Sequence, residues 1–326
     1  MQQVVLVEPG RFVLRDVAPP RPGDSEALVR VRRIGVCGTD LHAYAGRQPF
    51  FTYPRVLGHE LAVTVEAIPA GDTRVRIGDL CAVRPFLNDP QSRASLRGRP
   101  NCCESLRVLG VHVDGGMGEL LAVETRFLHP VPDLDAEAAA LIEPLSIGCH
   151  AVGRGRPTPE DRTLVIGAGP IGLATAQFAA LAGAPLTVVD LSERRRATVA
   201  AIVPAAAVVE AVPAGDRFDC VFDATGSAAS MMRAFDHVAA GGRLVYVGLT
   251  LEPLTVNDVE LHRREMTVLA SRNATPADFE RVIAAVRGGH IDPRSWITHR
   301  LSLGTLPQAF DGVRADPSLI KAVVTL

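Results

Sequence analysis

The chain has 326 residues, 47% of them hydrophobic, and its 36 acidic and 34 basic side chains leave a net charge of -2. That length buries a full core and divides most naturally into two domains, while the near-neutral balance, without a long basic run, excludes nucleic acid and anionic membrane as main partners. Small-molecule substrates are the expectation.

Six cysteines (Cys37, Cys81, Cys102, Cys103, Cys149 and Cys220) are scattered along the chain, and the N-terminus alternates apolar and polar residues like a strand instead of showing a signal peptide. No apolar run reaches the roughly 20 residues of a membrane span; Ala138 to Ile147 is interrupted by Glu143 and Pro144. A reduced, cytoplasmic setting follows, with thiols available for metal. Arginine fills nearly every basic position, Lys321 being the sole lysine; this reads as base composition without functional weight.

From Val4 to about Ala67 the segments V-V-L-V, F-V-L-R, A-L-V-R-V-R-R-I and L-A-V-T-V-E-A-I predict short strands, continued by R-I-G-D-L-C-A-V at Arg76 to Val83. Such β-rich, Pro- and Gly-punctuated sequence suits an antiparallel, barrel-like domain. An irregular polar stretch spans Arg84 to Asn101, and Gly110 to Val123 returns to strand character. Helical spacing sets in near Ala136. From Thr163 strand and helix alternate: T-L-V-I, a glycine turn, a helix over Leu173 to Ala182, L-T-V-V-D, a helix around Glu193 to Ile202, C-V-F-D-A, a helix near Ala228 to Ala239, and R-L-V-Y-V-G. This is the pattern of a parallel, doubly wound sheet, so the fold class is α/β. Past Ala274 a helical segment and a closing K-A-V-V-T-L strand lead back to the first domain. The expected divisions are 1–150, 151–288 and 289–326.

Two constellations carry chemistry. G-V-C-G-T-D-L-H at Gly35 to His42 and G-H-E at Gly58 to Glu60 bring together a thiol (Cys37), an imidazole (His59) and a carboxylate (Glu60), a ligand set for a catalytic zinc with an exchangeable position. Thr39 and His42 follow at once and offer a bound alcohol a proton route to solvent. Glu143, in an apolar helical segment, is either a ligand or a solvated side chain on this reading. The second constellation is G-A-G-P-I-G, Gly167, Gly169, Pro170, Ile171 and Gly172 among it, between an apolar strand and an apolar helix. Glycines there close the turn and admit a pyrophosphate at the helix N-terminus. Asp190 ends the next strand, where a carboxylate binds ribose hydroxyls and favours NAD. Arg194, Arg195 and Arg196 pull toward a 2′-phosphate, which Asp190 would repel.

With these motifs, together with G-R-Q-P-F-F-T-Y-P-R-V-L-G-H-E, N-C-C-E-S-L-R-V-L-G-V-H-x-D-G-G, A-A-L-I-E-P-L-S-I, D-A-T-G and S-R-N-A-T-P-x-D-F, the whole chain resembles the zinc-dependent medium-chain alcohol dehydrogenases, in the branch acting on polyols and sugar acids, nearest the L-galactonate and L-gulonate 5-dehydrogenases. The resemblance implies a GroES-like catalytic domain built from both chain ends around a Rossmann domain. It implies zinc on Cys37, His59 and either or both of Glu60 and Glu143, and a proton relay through Thr39 and His42. It also implies cofactor-facing segments at Asp223 to Gly226, including Thr225 and Gly226, and at Ser271, Arg272 and Asn273. The family's structural zinc needs four cysteines; counting back from Cys103, Asp89, Ser92 and Ser95 occupy the other three places. One zinc per chain is therefore expected, with the lobe 88–101 held by packing or mobile. The expected reaction is NAD-dependent oxidation of a secondary hydroxyl of a sugar acid, with Arg47 and Arg272, and less so Gln48 and His112, as substrate contacts. The alternatives are a neutral polyol or threonine-like substrate, or a non-catalytic NAD-binding regulator. A homodimer or homotetramer is expected.

Overall fold

Alternation sets the longest strand: in Glu26–Val36 the side chains of Ala27, Val29 and Val31 point inward between more exposed neighbours, as a two-residue period demands. Its last residues, Ile34, Gly35 and Val36, are all buried, because the strand end is covered on both faces. Around it the computed structural model, which describes residues 1–48 and 51–326, arranges a seven-stranded sheet. Glu26–Val36 pairs antiparallel with Glu60–Ala67, Leu120–Glu124 and the C-terminal Lys321–Thr325. Leu80–Val83, Leu128–Pro130 and Ile297–Ser302 extend the sheet. Both chain ends thus contribute to one unit, Met1–Glu143 with Thr275–Leu326. Within it an aromatic trio, Phe12, Tyr44 and Phe310, with ring centroids 4.8 to 5.2 Å apart, joins the helix Gly38–Tyr44 to the helix Leu306–Ala315.

The second unit is the contiguous Pro144–Ala274. Its six strands are all parallel, in the order Ala206–Val209, Leu186–Val189, Thr163–Ile166, Phe218–Asp223, Val238–Tyr246, Thr267–Ala270. Numbered along the chain this is 3-2-1-4-5-6, the order of dinucleotide-binding sheets, with its switch point between Thr163–Ile166 and Phe218–Asp223. Leu164, Val165, Val188, Val221 and Phe222 are fully covered, as strands with helices on both faces require.

Several expectations shift. The units divide after Glu143 and Ala274, not at 150 and 288. Helix Pro276–Arg287 returns to the first unit, as the segment past Ala274 was expected to and against the boundary at 288, because Arg287 pairs with Asp133 and Glu280 bonds His129. The helix foreseen to Ala239 stops at Arg233, and Val238 already begins a strand. The helical run from Ala136 breaks at Leu141 into Ala136–Ala140 and Ile142–Gly155. Residues 49 and 50, within the G-R-Q-P-F-F-T-Y stretch, lie outside the described residues.

Candidate metal centre and dinucleotide site

Sheet register assembles the metal centre. Gly35 is paired with Glu60 and Val36 with Ala322, so Cys37, Glu60 and Lys321 meet at one end of three adjacent strands. Gly35 is obligatory: a Cβ there would lie 1.9 Å from Glu60 Oε2. The G-H-E turn needs Gly58 at φ +93°, and the D-G-G motif braces it, Gly116 N donating to Gly58 O at 2.9 Å and Asp114 Oδ1 accepting from Val56 N at 3.0 Å. Cys37 precedes the helix Gly38–Tyr44, where Asp40 turns back so that Oδ2 accepts the Cys37 amide at 2.8 Å. Ligand atoms of Cys37, His59 and Glu60 all lie within 4.8 Å of one another. Donors around one tetrahedral zinc sit roughly 3.4–3.8 Å apart, so small side-chain adjustments suffice.

The surroundings fit a divalent cation. Asp40 and Glu60 are fully buried, and His59 and Glu143 are each 5% exposed. Burial pushes the Glu143 carboxyl up to about 8, with His59 opposing and Glu60 adding to the rise. Burial likewise raises Asp40. For His59 burial pulls the imidazole down, but Asp40 and Cys37 together carry it well above the usual range. Among the described residues, His59 Nδ1, Asp40 Oδ1 and Glu60 Oε2 are buried with no hydrogen-bond partner. Such orphaned, mostly anionic groups are costly without a cation. Glu143 lies in this field but outside the three-residue cluster. Thr39 is half-buried and His42 exposed, as a route to solvent requires.

Two residues here escaped the sequence reading. Asp40 Oδ1 stands 3.8 Å from His59 Nδ1, and Lys321 Nζ is 2.5 Å from Glu60 Oε1 with the lysine side chain 1% exposed. The signal for the second was available: one lysine in a chain otherwise restricted to arginine.

In the second unit, Ile166 is in register with Val189 and Asp223, which brings the following turns together. A Cβ on Gly172 would lie 1.7 Å from Gly167 O, and one on Gly167 2.9 Å from Thr225 Cγ2; a Cβ on Gly169 would meet no protein atom within 4 Å. The first two glycines serve packing, whereas Gly169 keeps open the approach to the N-terminus of helix Pro170–Leu181. Asp190 Oδ2 accepts from Ala168 N at 2.7 Å and Oδ1 from Ser192 N at 2.8 Å, with Arg195 Nη1 3.7 Å from Oδ2. Thr225 donates to Asp223 Oδ1 through its amide and its hydroxyl, and Gly226 takes φ +66°. Among the described residues, Ser271 Oγ and Asn273 Nδ2 are buried with no hydrogen-bond partner, Asn273 at φ +52°, and Arg272 is exposed. This is a cradle a dinucleotide fits.

The lobe differs from expectation: hydrogen bonds hold it. Asn88 Nδ2 donates to Ser95 Oγ at 3.0 Å, Ser92 Oγ to Ser95 Oγ at 2.9 Å and Asp89 N to Cys103 Sγ at 3.3 Å, while Arg126 grips Asn88 O at 2.8 Å. Of the other substrate candidates, Arg47 is exposed, Gln48 partly buried, and His112 Nδ1 accepts the Val108 amide at 3.1 Å.

Residues 23–133 match the alcohol dehydrogenase GroES-like domain and residues 170–287 the zinc-binding dehydrogenase domain. The chain belongs to the zinc-dependent medium-chain alcohol dehydrogenases and is an oxidoreductase. Among its relatives, L-galactonate-5-dehydrogenase of Escherichia coli K12 is 39% identical over 336 residues, covering all of this chain and 99% of the relative. The crystal structure of RspB from E. coli CFT073 with NADH superposes with a TM-score of 0.92 at 28% identity, over 100% and 99% of the two chains. A zinc-binding dehydrogenase of Sinorhizobium meliloti 1021 bound to NADP gives 0.89 at 28% identity over the same shares. No helix among the described residues is long and apolar enough to cross a membrane.

Proposed function

We propose that this enzyme oxidises a secondary hydroxyl of a sugar acid of the L-galactonate or L-gulonate type, with NAD as acceptor and one catalytic zinc per chain. The observation that carries the reading is the meeting of Cys37, His59 and Glu60 at one buried point, in a chain 39% identical end to end to an L-galactonate-5-dehydrogenase.

When bound, zinc acidifies a coordinated hydroxyl and the nicotinamide accepts hydride. Cys37 and His59 would hold the ion, with Glu60 or Glu143 as third ligand. Asp40 stands 3.8 Å from Nδ1 of His59, which would leave the other ring nitrogen to hold the metal in a carboxylate–histidine arrangement. Thr39 takes the substrate proton and His42, exposed at the last turn of the same helix, releases it to water. Gly167, Gly169, Pro170, Ile171 and Gly172 receive the pyrophosphate. Asp190, with lone pairs beyond those its two amide bonds use, receives the ribose hydroxyls. Thr225, Gly226, Ser271, Arg272 and Asn273 face the remainder of the cofactor, the orphaned Ser271 and Asn273 atoms finding partners there. Asp190 favours NAD and neutralises Arg195 beside it; without the carboxylate that arginine would be free to meet a 2′-phosphate. For the substrate carboxylate either the exposed Arg47 or the exposed Arg272 would supply a planar fork.

A single zinc is supported by the lobe, where serine hydroxyls and Asp89 occupy three places that a four-thiolate site would need. The six free cysteines accord with the cytoplasm. Homo-oligomerisation through the sheet edge Thr267–Ala270 is supported by exposed Leu249, Leu251, Val256, Val259 and Val268.

The test combines metal analysis with a substrate screen. The wild-type protein should carry one zinc per chain and reduce NAD with L-galactonate or L-gulonate. Cys37→Ser should lose the metal and about 100-fold or more of activity with its circular dichroism unchanged. Far higher specificity constants for neutral polyols would overturn the sugar-acid assignment, and two zinc ions per chain the reading of the lobe.

A further inference from the structure

Strand Leu80–Val83 of the first unit ends on a buried cation without a counter-ion. The sheet pairs Ala82 with His129 and Val83 with Leu128, and the next residue, Arg84, donates its amide to Phe127 O at 2.8 Å. Cross-strand partners share a face, as do residues two apart, so Arg84, Phe127 and His129 stand side by side. Arg84 is 4% exposed, and its guanidinium lies over the Phe127 ring at 4.7 Å. Among the described residues its side chain forms no ion pair; Nη1 donates to Phe86 O at 3.1 Å, and Nε is buried without a partner. Burial, and then Arg126, bring the guanidinium down to about 10; Glu124 opposes them but is itself bound to Arg126 at 2.6 Å. His129, 7% exposed, stacks on Phe279, and its Nδ1 bonds Glu280 at 2.9 Å. Its Nε2 is likewise buried with no hydrogen-bond partner. Burial holds this imidazole down, Glu280 opposes the fall and Arg84 adds to it, so the two side chains feel each other.

A guanidinium does not shed its proton to escape burial, so a covered arginine needs an anion or acceptors beside it. An imidazole bonded through Nδ1 is more adaptable: at Nε2 it presents a lone pair when neutral and an N–H when protonated. We propose that Arg84 and His129 form a binding site for a small monovalent inorganic anion of the halide class, taken up together with a proton on His129. Charge counting supports one such ion. Arg84 and Arg126 against Glu124 leave one positive charge, and protonated His129 against Glu280 leaves none, so a single monovalent anion completes a neutral set. Size points the same way, since both orphaned nitrogens are closed to solvent and a phosphate or sulfate would bring further oxygens to satisfy there. The rival occupant is a water molecule, accepting from Arg84 Nε and donating to neutral His129 Nε2. The two differ in what they respond to: water is indifferent to the salt present, whereas a halide couples its own concentration to protonation of His129 and to stability.

The experiment follows thermal unfolding of the whole chain in sodium chloride, sodium bromide and sodium methanesulfonate at equal ionic strength, and locates bromide in crystals by anomalous diffraction. Halide at about ten times its Kd should raise Tm by about 2 °C or more over methanesulfonate, and an anomalous peak should stand between Arg84 and His129. Because binding takes up a proton, halide affinity should strengthen as pH falls from about 8 to about 6, by up to about tenfold per pH unit. Arg84→Met should abolish both the halide increment and the peak. His129→Gln, which keeps a donor but does not titrate, should remove the pH dependence of halide affinity. Equal melting in the three salts overturns the proposal and leaves water as the occupant. A halide increment that survives Arg84→Met also overturns it, since the ion then sits elsewhere, as it would on a catalytic zinc. If Arg84→Met fails to fold, the bromide map of the wild-type protein decides alone: a peak at Arg84 sustains the site, and its absence removes it.

Discussion

Asp190 sits where two demands compete. Its carboxylate fixes the glycine turn through the Ala168 amide and stands 3.7 Å from an Arg195 nitrogen, so it both shapes the cradle and neutralises the cation next to it. In Asp190→Ala the arginine is released to meet a 2′-phosphate while the turn loses a bond. The expected outcome is lower kcat/KM with NAD and a ratio of NAD to NADP specificity reduced by about tenfold or more. Steady-state kinetics with both cofactors check it, and a wild-type preference for NADP would contradict it. The place of Asp190 was legible from sequence distance, since it directly follows the strand after the glycine turn. Asp40 and Lys321 were not, for opposite reasons. Asp40 reads locally as a helix-start carboxylate, and its approach to His59 exists only after the chain folds back. Lys321 is 261 residues from its partner, and only sheet register joins them.

At the level of elements, Gly58, Gly110, Gly115 and Gly116 crowd around the G-H-E turn with no room for a side chain. A Cβ on Gly115 would lie 2.3 Å from Gly58 O and 2.6 Å from Leu57 O, backbone atoms that cannot swing aside. Gly115→Ala should therefore cost about 2 kcal/mol or more and loosen zinc retention, because the atom displaced belongs to the residue before His59. Denaturant midpoints and zinc content after dialysis measure both, and an unchanged midpoint would refute the account. A second element contact carries a pH dependence. His129 on strand Leu128–Pro130 stacks on Phe279 at 4.8 Å and bonds Glu280 on helix Pro276–Arg287 at 2.9 Å. Burial holds its imidazole below the usual histidine range, against the pull of Glu280. With the folded pKa depressed, the unfolded chain takes the proton first, so stability present above about pH 6.5 is lost as pH falls through the folded value. His129→Gln should flatten thermal stability between pH 7 and 5; a curve as steep as wild type would exclude the contact. Sequence patterning found the long, strongly alternating strands but missed Ala206–Val209 and Thr267–Ala270, the two outermost of the parallel sheet. Both are short and partly exposed: Ala206–Val209 is alanine-rich and merges with the apolar end of the preceding helix, and Thr267–Ala270 has only Val268 and Leu269 as large apolar residues.

For the whole molecule, the parallel sheet ends in a strand whose outer edge has no partner strand among the described residues and whose Val268 is 40% exposed. Proteins protect such edges with charge, and here apolar residues stand instead. Val268→Lys should shift the protein toward monomer without unfolding it, read by light scattering after size exclusion; an unchanged mass would place the interface elsewhere. Composition alone indicated two units and a small-molecule role, but not where the chain crosses between them, since that depends on which strands and helices share a core. The crossing itself governs the order of events during synthesis. Pro144–Ala274 is one uninterrupted segment and can fold as it leaves the ribosome, whereas the other unit must wait for residues beyond 275. Cys37, His59 and Glu60 emerge early, yet the counter-charge of Glu60 arrives with residue 321. The sheet end that carries Cys37 and Glu60 is therefore completed only when synthesis is nearly finished and the strand Lys321–Thr325 docks.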